Sequence, residues 1–270
     1  MSQKIPSLLK EIPDYPEKLY MRGKLPGEKT VISITGSKEP TDYGIEIVKK
    51  LTLGLSKYPI SIATGLSVGI EQLTTEEALK LGTQVIGISS SGLKHSDELQ
   101  ERIISSNGLL LSEEGPNKCK TKKSKELSLR IIAGISQTTI VIEAERKSNA
   151  MVIADLAMQY NREVCTFPGS IFSKTSSGPH YLIRNGATPI TSLDNLLEIL
   201  GFSVERNDKP DLTEEELVAV KVLLRKPLEK IDLCNELNLN SIECDRLIAT
   251  LSLKDIIKEE LGEIKINLPK

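Results

Sequence analysis

The stretch VISITGSKEPTDYGIEIVKKL, Val31–Leu51, decides how the rest of the chain is read. An apolar run ends in Thr35-Gly36-Ser37-Lys38. After Pro40 the apolar positions fall at Ile47, Val48, Leu51 and Leu55, one face of a helix. Thr41 and Asp42 are the expected N-caps of that helix. A strand that turns through glycine into a helix offers backbone N–H groups and a positive helix end to a phosphate. Yet only Gly36 and Gly44 lie here, not the three glycines of a dinucleotide fingerprint. The turn is therefore read as an anion-binding loop of another kind.

The same texture recurs downstream. Short runs rich in Ile, Val and Leu predict strands at Val31–Thr35, Ile60–Ala63, Gln84–Ser89, Gly108–Leu111, Thr138–Glu143 and Glu163–Phe167, with helical stretches between them. None alternates cleanly, which is how a strand covered on both faces reads. Strands alternating with helices predict an α/β domain with a parallel sheet. A polar break at Glu205–Asp211 divides the chain. The expected organisation is a loose lead-in over 1–14, the α/β domain over 15–204, a linker over 205–210 and a small domain over 211–270. The last segment carries 9 Lys and Arg against 13 Asp and Glu, a net of −4, which leaves +2 for the rest of a chain whose total is −2. Helices are predicted there at 213–225, 229–237 and 241–252, then two strands, DIIKEE and EIKINL, the order of a winged-helix module.

Composition narrows the functional classes. A net charge of −2 means that any basic surface is local. Aromatic residues make up 3% and Trp is absent, so few platforms exist for stacking on bases. Cys119, Cys165, Cys234 and Cys244 form no CxxC pair, and His95 and His180 are the only histidines, so no metal site is expected. Scattered thiols without a secretory signal fit a reducing cytoplasm. No apolar run approaches the roughly 20 residues of a membrane span.

In a parallel sheet the loops after the strands open on one edge, where ligands bind. Three such loops stand out: Gly36-Ser37-Lys38, the TGLSVGIEQ segment with Gly65, Ser67 and Gly69, and EAERKSNAM with Ser148 and Asn149 as helix caps. Pro116–Arg130 adds Lys118, Lys120, Lys122, Lys123, Lys125 and Arg130 against the single acid Glu126. It is read as a phosphate-contact surface. Nothing is spaced as a nucleophile, acid or base pair, so no catalytic residue is expected. Glu143 is read as a cap for a neighbouring loop, His180 as structural, His95 as exposed, and Tyr15-Pro16 as a fixed turn.

The ordered set Tyr15-Pro16, Gly36-Ser37-Lys38, Thr64-Gly65-Leu66-Ser67-Val68-Gly69-Ile70, Arg130-Ile131-Ile132-Ala133-Gly134, Pro168-Gly169 and Gly178-x-x-x-Leu182-Ile183-x-x-Gly186-Ala187 resembles the DNA-processing protein A (DprA/Smf) family over about residues 12–200. The resemblance implies an extended Rossmann-like domain, often followed by a winged-helix-like one. It implies a non-catalytic protein that binds single-stranded DNA, loads a RecA-type recombinase onto it during natural transformation, and dimerises through the Rossmann-like domain. It implies no cofactor. This sequence departs from the family's pattern at several positions. The usual Gly-Ser-Arg is Gly36-Ser37-Lys38, which keeps the charge and loses the guanidinium fork. The usual Phe-x-x-Arg-Asn-Arg is Lys125-Glu126-Leu127-Ser128-Leu129-Arg130, which loses an Arg, the Asn and the aromatic. The family's Ser-Gly-Ser is Ser148-Asn149-Ala150, a usual His is Thr75, and the Asn of the late Gly-x-Asn motif is His180. Two further readings stay open. One is a divergent nucleotide-sensing or partner-binding scaffold. The other is a nucleoside-phosphate hydrolase, against which the Pro-Gly-Gly-x-Gly-Thr loop of such enzymes is replaced here by Glu143-Ala144-Glu145-Arg146-Lys147-Ser148.

Overall fold

The computed structural model describes residues 5–94, 97–203, 212–254, 256–260 and 262–267. His95 and the linker expected at 205–210 lie outside the described residues. The chain divides into two compact units, Met1–Ser203 and Val204–Lys270.

The first unit runs α1 Ser7–Lys10, β1 Tyr20–Gly23, β2 Thr30–Thr35, α2 Asp42–Leu55, β3 Ile60–Gly65, α3 Ile70–Lys80, β4 Gln84–Ile88, α4 Glu98–Ser105, β5 Leu109–Ser112, α5 Lys122–Gly134, β6 Thr138–Val141, α6 Asn149–Gln159, β7 Glu163–Thr166, a 3-10 turn at Lys174–Ser176, α7 Ser177–Arg184, β8 Thr188–Pro189 and α8 Leu193–Ile199. The strands form one eight-stranded sheet in the order β1-β5-β4-β3-β2-β6-β7-β8. All neighbours pair in parallel except β1, which runs antiparallel to β5 at one edge. Strands β3 to β6 are buried at every position. That is why they carry no alternation in the sequence. Ala63, Ile86, Ile88, Leu109, Leu111 and Val141 join α1, α5 and α6 in one apolar cluster. The alternate positions Ile32, Ile34, Ile60, Ile62, Val85, Leu110 and Ile140 are equally buried and face the other way. Two polar side chains inside this sheet are satisfied locally: Ser33 Oγ donates to Ile132 C=O at 2.6 Å and Thr64 Oγ1 to Ile34 C=O at 2.7 Å.

The order places a switch point at β2. The chain winds from β2 out through β3, β4 and β5, then returns to lay β6 on the other side of β2. Loops leaving adjacent strands in opposite directions open a crevice at the strands' carboxyl ends.

Part of the expected loose lead-in is not loose. Leu9 and Ile12 are fully buried and pack on Gly134, where any side chain would overlap them. Arg162 holds the segment by donating to Leu8 C=O at 2.9 Å and pairing with Glu11 at 2.9 Å.

The second unit runs α9 Glu214–Leu223, β9 Leu228–Glu229, α10 Lys230–Leu237, α11 Ser241–Leu253, β10 Ile257–Glu260 and β11 Glu263–Ile266, with an antiparallel sheet ordered β10-β11-β9. Its small core gathers Ala219, Leu223, Leu228, Leu233, Leu247, Leu251, Ile257 and Ile264. On α11, Ile242 stands 82% exposed, while Cys244 is fully buried. Cys244 is joined to Cys234 in a disulfide that ties α10 to α11, so two of the four cysteines are paired rather than scattered.

Leu9→Ala should lower unfolding stability by about 3 kcal/mol, as a fully buried leucine in a packed site does. Urea denaturation checks this. A loss under about 0.5 kcal/mol, the size of an ordinary surface change, would mean that the segment does not belong to the core.

Candidate nucleic-acid interface

Two buried carboxylates shape the crevice. Glu143, at the end of β6, has a left-handed backbone, φ 48°, and is 4% exposed. Its Oε2 accepts the Thr41 N–H at 2.9 Å, and its Oε1 accepts the hydroxyls of Thr41 at 2.6 Å and Thr175 at 2.8 Å. Thr41 Oγ1 in turn accepts from Gly44 N–H at the start of α2. A Cβ at Gly44 would overlap the Glu143 carboxylate, so this position requires glycine. Glu143 is thus the cap that the sequence expected, and it fixes three segments at once.

Glu71, in the first turn of α3, is 7% exposed. It accepts Thr35 Oγ1–H at 2.8 Å and Ser67 N–H at 3.2 Å, so it folds the β3–α3 loop back over the end of β2. The two loops touch directly. Ile70 N–H donates to Ser37 C=O at 2.9 Å, and Gly69, at φ 94°, lies where a side chain would overlap Ser37 and Lys38 backbone. Burial pushes the Glu71 carboxyl above the usual carboxylate range, although Thr35, Ser67 and Lys120 act the other way.

Around these loops lies a crevice of about 370 Å³, lined by Gly36, Ser37, Lys38, Glu39, Ser67, Val68, Glu71, Glu145, Lys147, Ser148, Asn149, Ala150 and Thr175. A recess of about 190 Å³ adjoins it, sharing Ser67, Glu71 and Asn149 and adding Gly65, Lys120, Lys125 and Ser128 among others. Burial first, then the charges of Lys38 and Lys120, hold the Lys125 ammonium below the usual lysine value, and Glu71 opposes them. Lysines close enough to disfavour one another's charge form a site that a bound anion relieves. Ser148 caps α6 by position without a side-chain bond, and its shielded Oγ has no partner among the described residues.

The structure thus brings Gly36, Ser37, Lys38, Gly65, Ser67, Lys125, Ser148 and Asn149 together. Gly69 sits behind them as the contact between loops. The Ser37 hydroxyl donates to Glu39 C=O at 2.9 Å and closes the turn. Lys122 and Lys123 are exposed on the first turn of α5 and line neither cavity. Arg130 is a correction. It lies two turns into α5, where Glu113 accepts from its Nε at 3.3 Å and from Nη2, and where Asp14 C=O accepts from Nη1. It anchors the N-terminal segment and does not face the crevice. His180 is structural, its Nε2 3.0 Å from Gly169 C=O. The sequence reading left out Glu71, Lys147 and Thr175. Glu71 and Lys147 stood inside the loops that it selected, but nothing in their spacing marked their orientation.

Comparisons with known proteins agree with this architecture. Residues 1–201 match the DNA recombination-mediator protein A family, and the chain belongs to that family. It is 32% identical over 207 residues to the DNA processing protein DprA of Bacillus subtilis, covering 74% of this chain and 69% of the relative. It is 34% identical over 200 residues to DprA of Streptococcus pneumoniae, covering 72% and 70%. The crystal structure of the S. pneumoniae protein superposes with a TM-score of 0.67 at 31% identity, over 74% of this chain and 71% of that one. DNA processing protein A of Helicobacter pylori, a protein with a described single-stranded DNA binding mode, superposes at 0.66 with 25% identity, over 73% and 93%. The first unit is accordingly of the Rossmann-like DprA fold.

Burial makes folded Glu71 hold its proton more tightly than the unfolded chain does. Between the ordinary carboxylate pKa and its higher folded value, native Glu71 keeps a proton that the unfolded chain has released. This contribution is complete below the unfolded pKa and is lost as pH rises through the folded one. Glu71→Gln should flatten that part of the profile, seen by comparing urea midpoints of the two proteins from about pH 4 to pH 8. Parallel profiles would show that Glu71 does not carry the raised proton affinity.

Proposed function

We propose that the protein is a single-stranded DNA binding recombination mediator, and that the crevice at the β2–β6 switch point holds its phosphates. The observation that carries the proposal is the convergence of Lys38 and Lys147 on the crevice, and of Lys120 and Lys125 on the recess that adjoins it, at the carboxyl edge of a parallel sheet. Among the described residues, the amides of Ser37 and Lys38 donate to no protein group and are available to an anion. Membership of the recombination-mediator family supports the reading, as does likeness to an H. pylori protein that binds single-stranded DNA. Point charges and amides recognise a backbone without reading bases, so binding is sequence-tolerant. The protein acts by holding DNA and presenting it to a RecA-type recombinase, as a homodimer and without catalysis; family resemblance supports these roles. A crevice of about 370 Å³ is also large enough for a free nucleotide. Competition by mononucleotides distinguishes that sensor reading, because a phosphate chain spanning several lysines should outcompete a single phosphate.

Lys38→Ala should weaken single-strand binding equally across sequences and reduce the salt slope by about 0.7, the value for one lost phosphate contact. Replacing Lys120 and Lys125 together by Gln should reduce it by about 1.4, twice that value, whereas the same change at Lys122 and Lys123 should alter it less. Filter binding at several salt concentrations separates these outcomes. Equal slopes for both pairs would show that orientation into the crevice does not matter.

We propose that the second unit is a winged-helix module that does not read duplex DNA. Its strand and helix order supports the first part. The charge of its third helix supports the second. Glu243, Asp245 and Arg246 are all exposed on α11, and Asp245 already pairs with Lys230. Acids facing a polyanion oppose binding. Deleting residues 211–270 should leave single-strand affinity within about threefold, under roughly 0.7 kcal/mol. A tenfold loss with the first unit still folded would place the tail in the DNA site.

A further inference from the structure

The most exposed large apolar side chain in the first unit lies beside the crevice, on a loop that the phosphate reading leaves unused. After β7 the chain makes a tight turn, Ser170-Ile171-Phe172-Ser173, closed by Ser173 N–H donating to Ser170 C=O at 3.1 Å. Ser170 Oγ accepts the Phe172 N–H at 3.3 Å and stiffens the tip. Ile171 is 78% exposed and Phe172 91%. Turn tips ordinarily carry Gly, Asn, Asp or Ser. An isoleucine and a phenylalanine held out to solvent by a closed turn call for a partner.

Position says which partner. The turn leaves the carboxyl end of a strand in the same parallel sheet, so it rises from the edge that carries the lysines. Three residues on, Thr175 lines the crevice and bonds Glu143. Three residues of extended chain span at most about 11 Å, so the Phe172 backbone stands within that distance of the crevice wall. The base of the turn is fixed from both sides. Tyr43 Oη donates to Pro168 C=O at 2.5 Å, and Ala144 N–H donates to Thr175 C=O at 2.7 Å. In the loop after β6, Arg146 lies over the Tyr181 ring, 3.5 Å from its centroid.

Resting on the single-strand reading, we propose that Phe172 is the base-stacking platform of this protein: phosphates lie along the lysines while a neighbouring base lies on the Phe172 ring. Every base has a π-face, so a stack of this kind adds affinity without sequence preference. Charge stays with Lys38, Lys120, Lys125 and Lys147, and stacking comes from the β7 turn on the other side of the 143–149 loop. A second copy of this chain seated on the turn is the competing occupant.

The chain contains no tryptophan, so a Phe172→Trp variant carries a unique fluorophore at the proposed stack. The variant is titrated with oligothymidylate of about 12 nucleotides, within the size range of single-strand sites, and with an abasic oligonucleotide of equal length and charge. Oligothymidylate should quench the indole emission, and the abasic strand should bind through its phosphates without quenching it. Phe172→Ala should bind oligothymidylate about tenfold more weakly than the wild type, with the salt slope unchanged because no phosphate contact is lost. Wild-type binding with no quenching and with full affinity in Phe172→Ala would overturn the stacking proposal and leave the phosphate crevice standing. No wild-type binding to either strand at low salt would overturn both. If Phe172→Ala instead lowers the oligomeric state in sedimentation and keeps its affinity per chain, the turn is a contact between copies and the proposal is wrong.

Discussion

The geometry of the crevice depends on the Glu143 carboxylate. It is buried, sits on a left-handed residue at the end of β6, and accepts hydrogen bonds from Thr41 and Thr175. Those bonds hold the start of α2 and the segment after β7 against the switch point of the sheet. Glu71 does the same on the β3 side through Thr35 and Ser67. Both carboxylates spend their acceptor capacity on protein groups. The exposed lining then brings Lys38 and Lys147 beside the Gly36-Ser37 turn, with Glu39 and Glu145 as its exposed acids. The strained backbone at Glu143 persists because three hydrogen bonds, from Thr41 and Thr175, determine it.

The lysines are held at some cost to one another. Lys125 is partly desolvated and feels Lys38 and Lys120, which disfavours its charge. On the proposed reading, a phosphate chain would supply the missing counter-charge. Lys38 in place of the family's usual arginine would, on the proposed reading, make this a contact by charge more than by shape, since an ammonium has no planar fork to set the angle of a phosphate. An interface of that kind would tolerate many sequences and depend strongly on salt.

Much of the first unit was legible in the sequence because its strands are buried on both faces. Short runs rich in Ile and Val at 60–63 and 138–143 needed no partner to be recognised. Tyr20–Gly23 was missed because it is an edge strand, antiparallel and half-exposed, and Thr188–Pro189 because two residues make no pattern. Leu9 and Ile12 stood in a polar setting that hid their burial against α5. The site was legible as a set of loops, not as a set of orientations. Thr121 caps α5, and that fixes the helix phase, turning Lys125 inward and leaving Lys122 and Lys123 outside. Arg130 looked like a contact because its partners Asp14 and Glu113 lie 116 and 17 residues away along the chain. Phe172 passed unnoticed because exposure cannot be read from a lone aromatic.

The most direct measurement is a titration of the full chain with single- and double-stranded oligonucleotides of one sequence over a range of salt. With Lys38, Lys120, Lys125 and Lys147 each meeting a phosphate, log K for the single strand should fall against log salt with a slope of about −2.8, four contacts at 0.7 each, and the duplex should bind more weakly throughout. A slope near zero, or a duplex bound as tightly as the single strand, would contradict the assignment of this crevice to a single-stranded phosphate backbone.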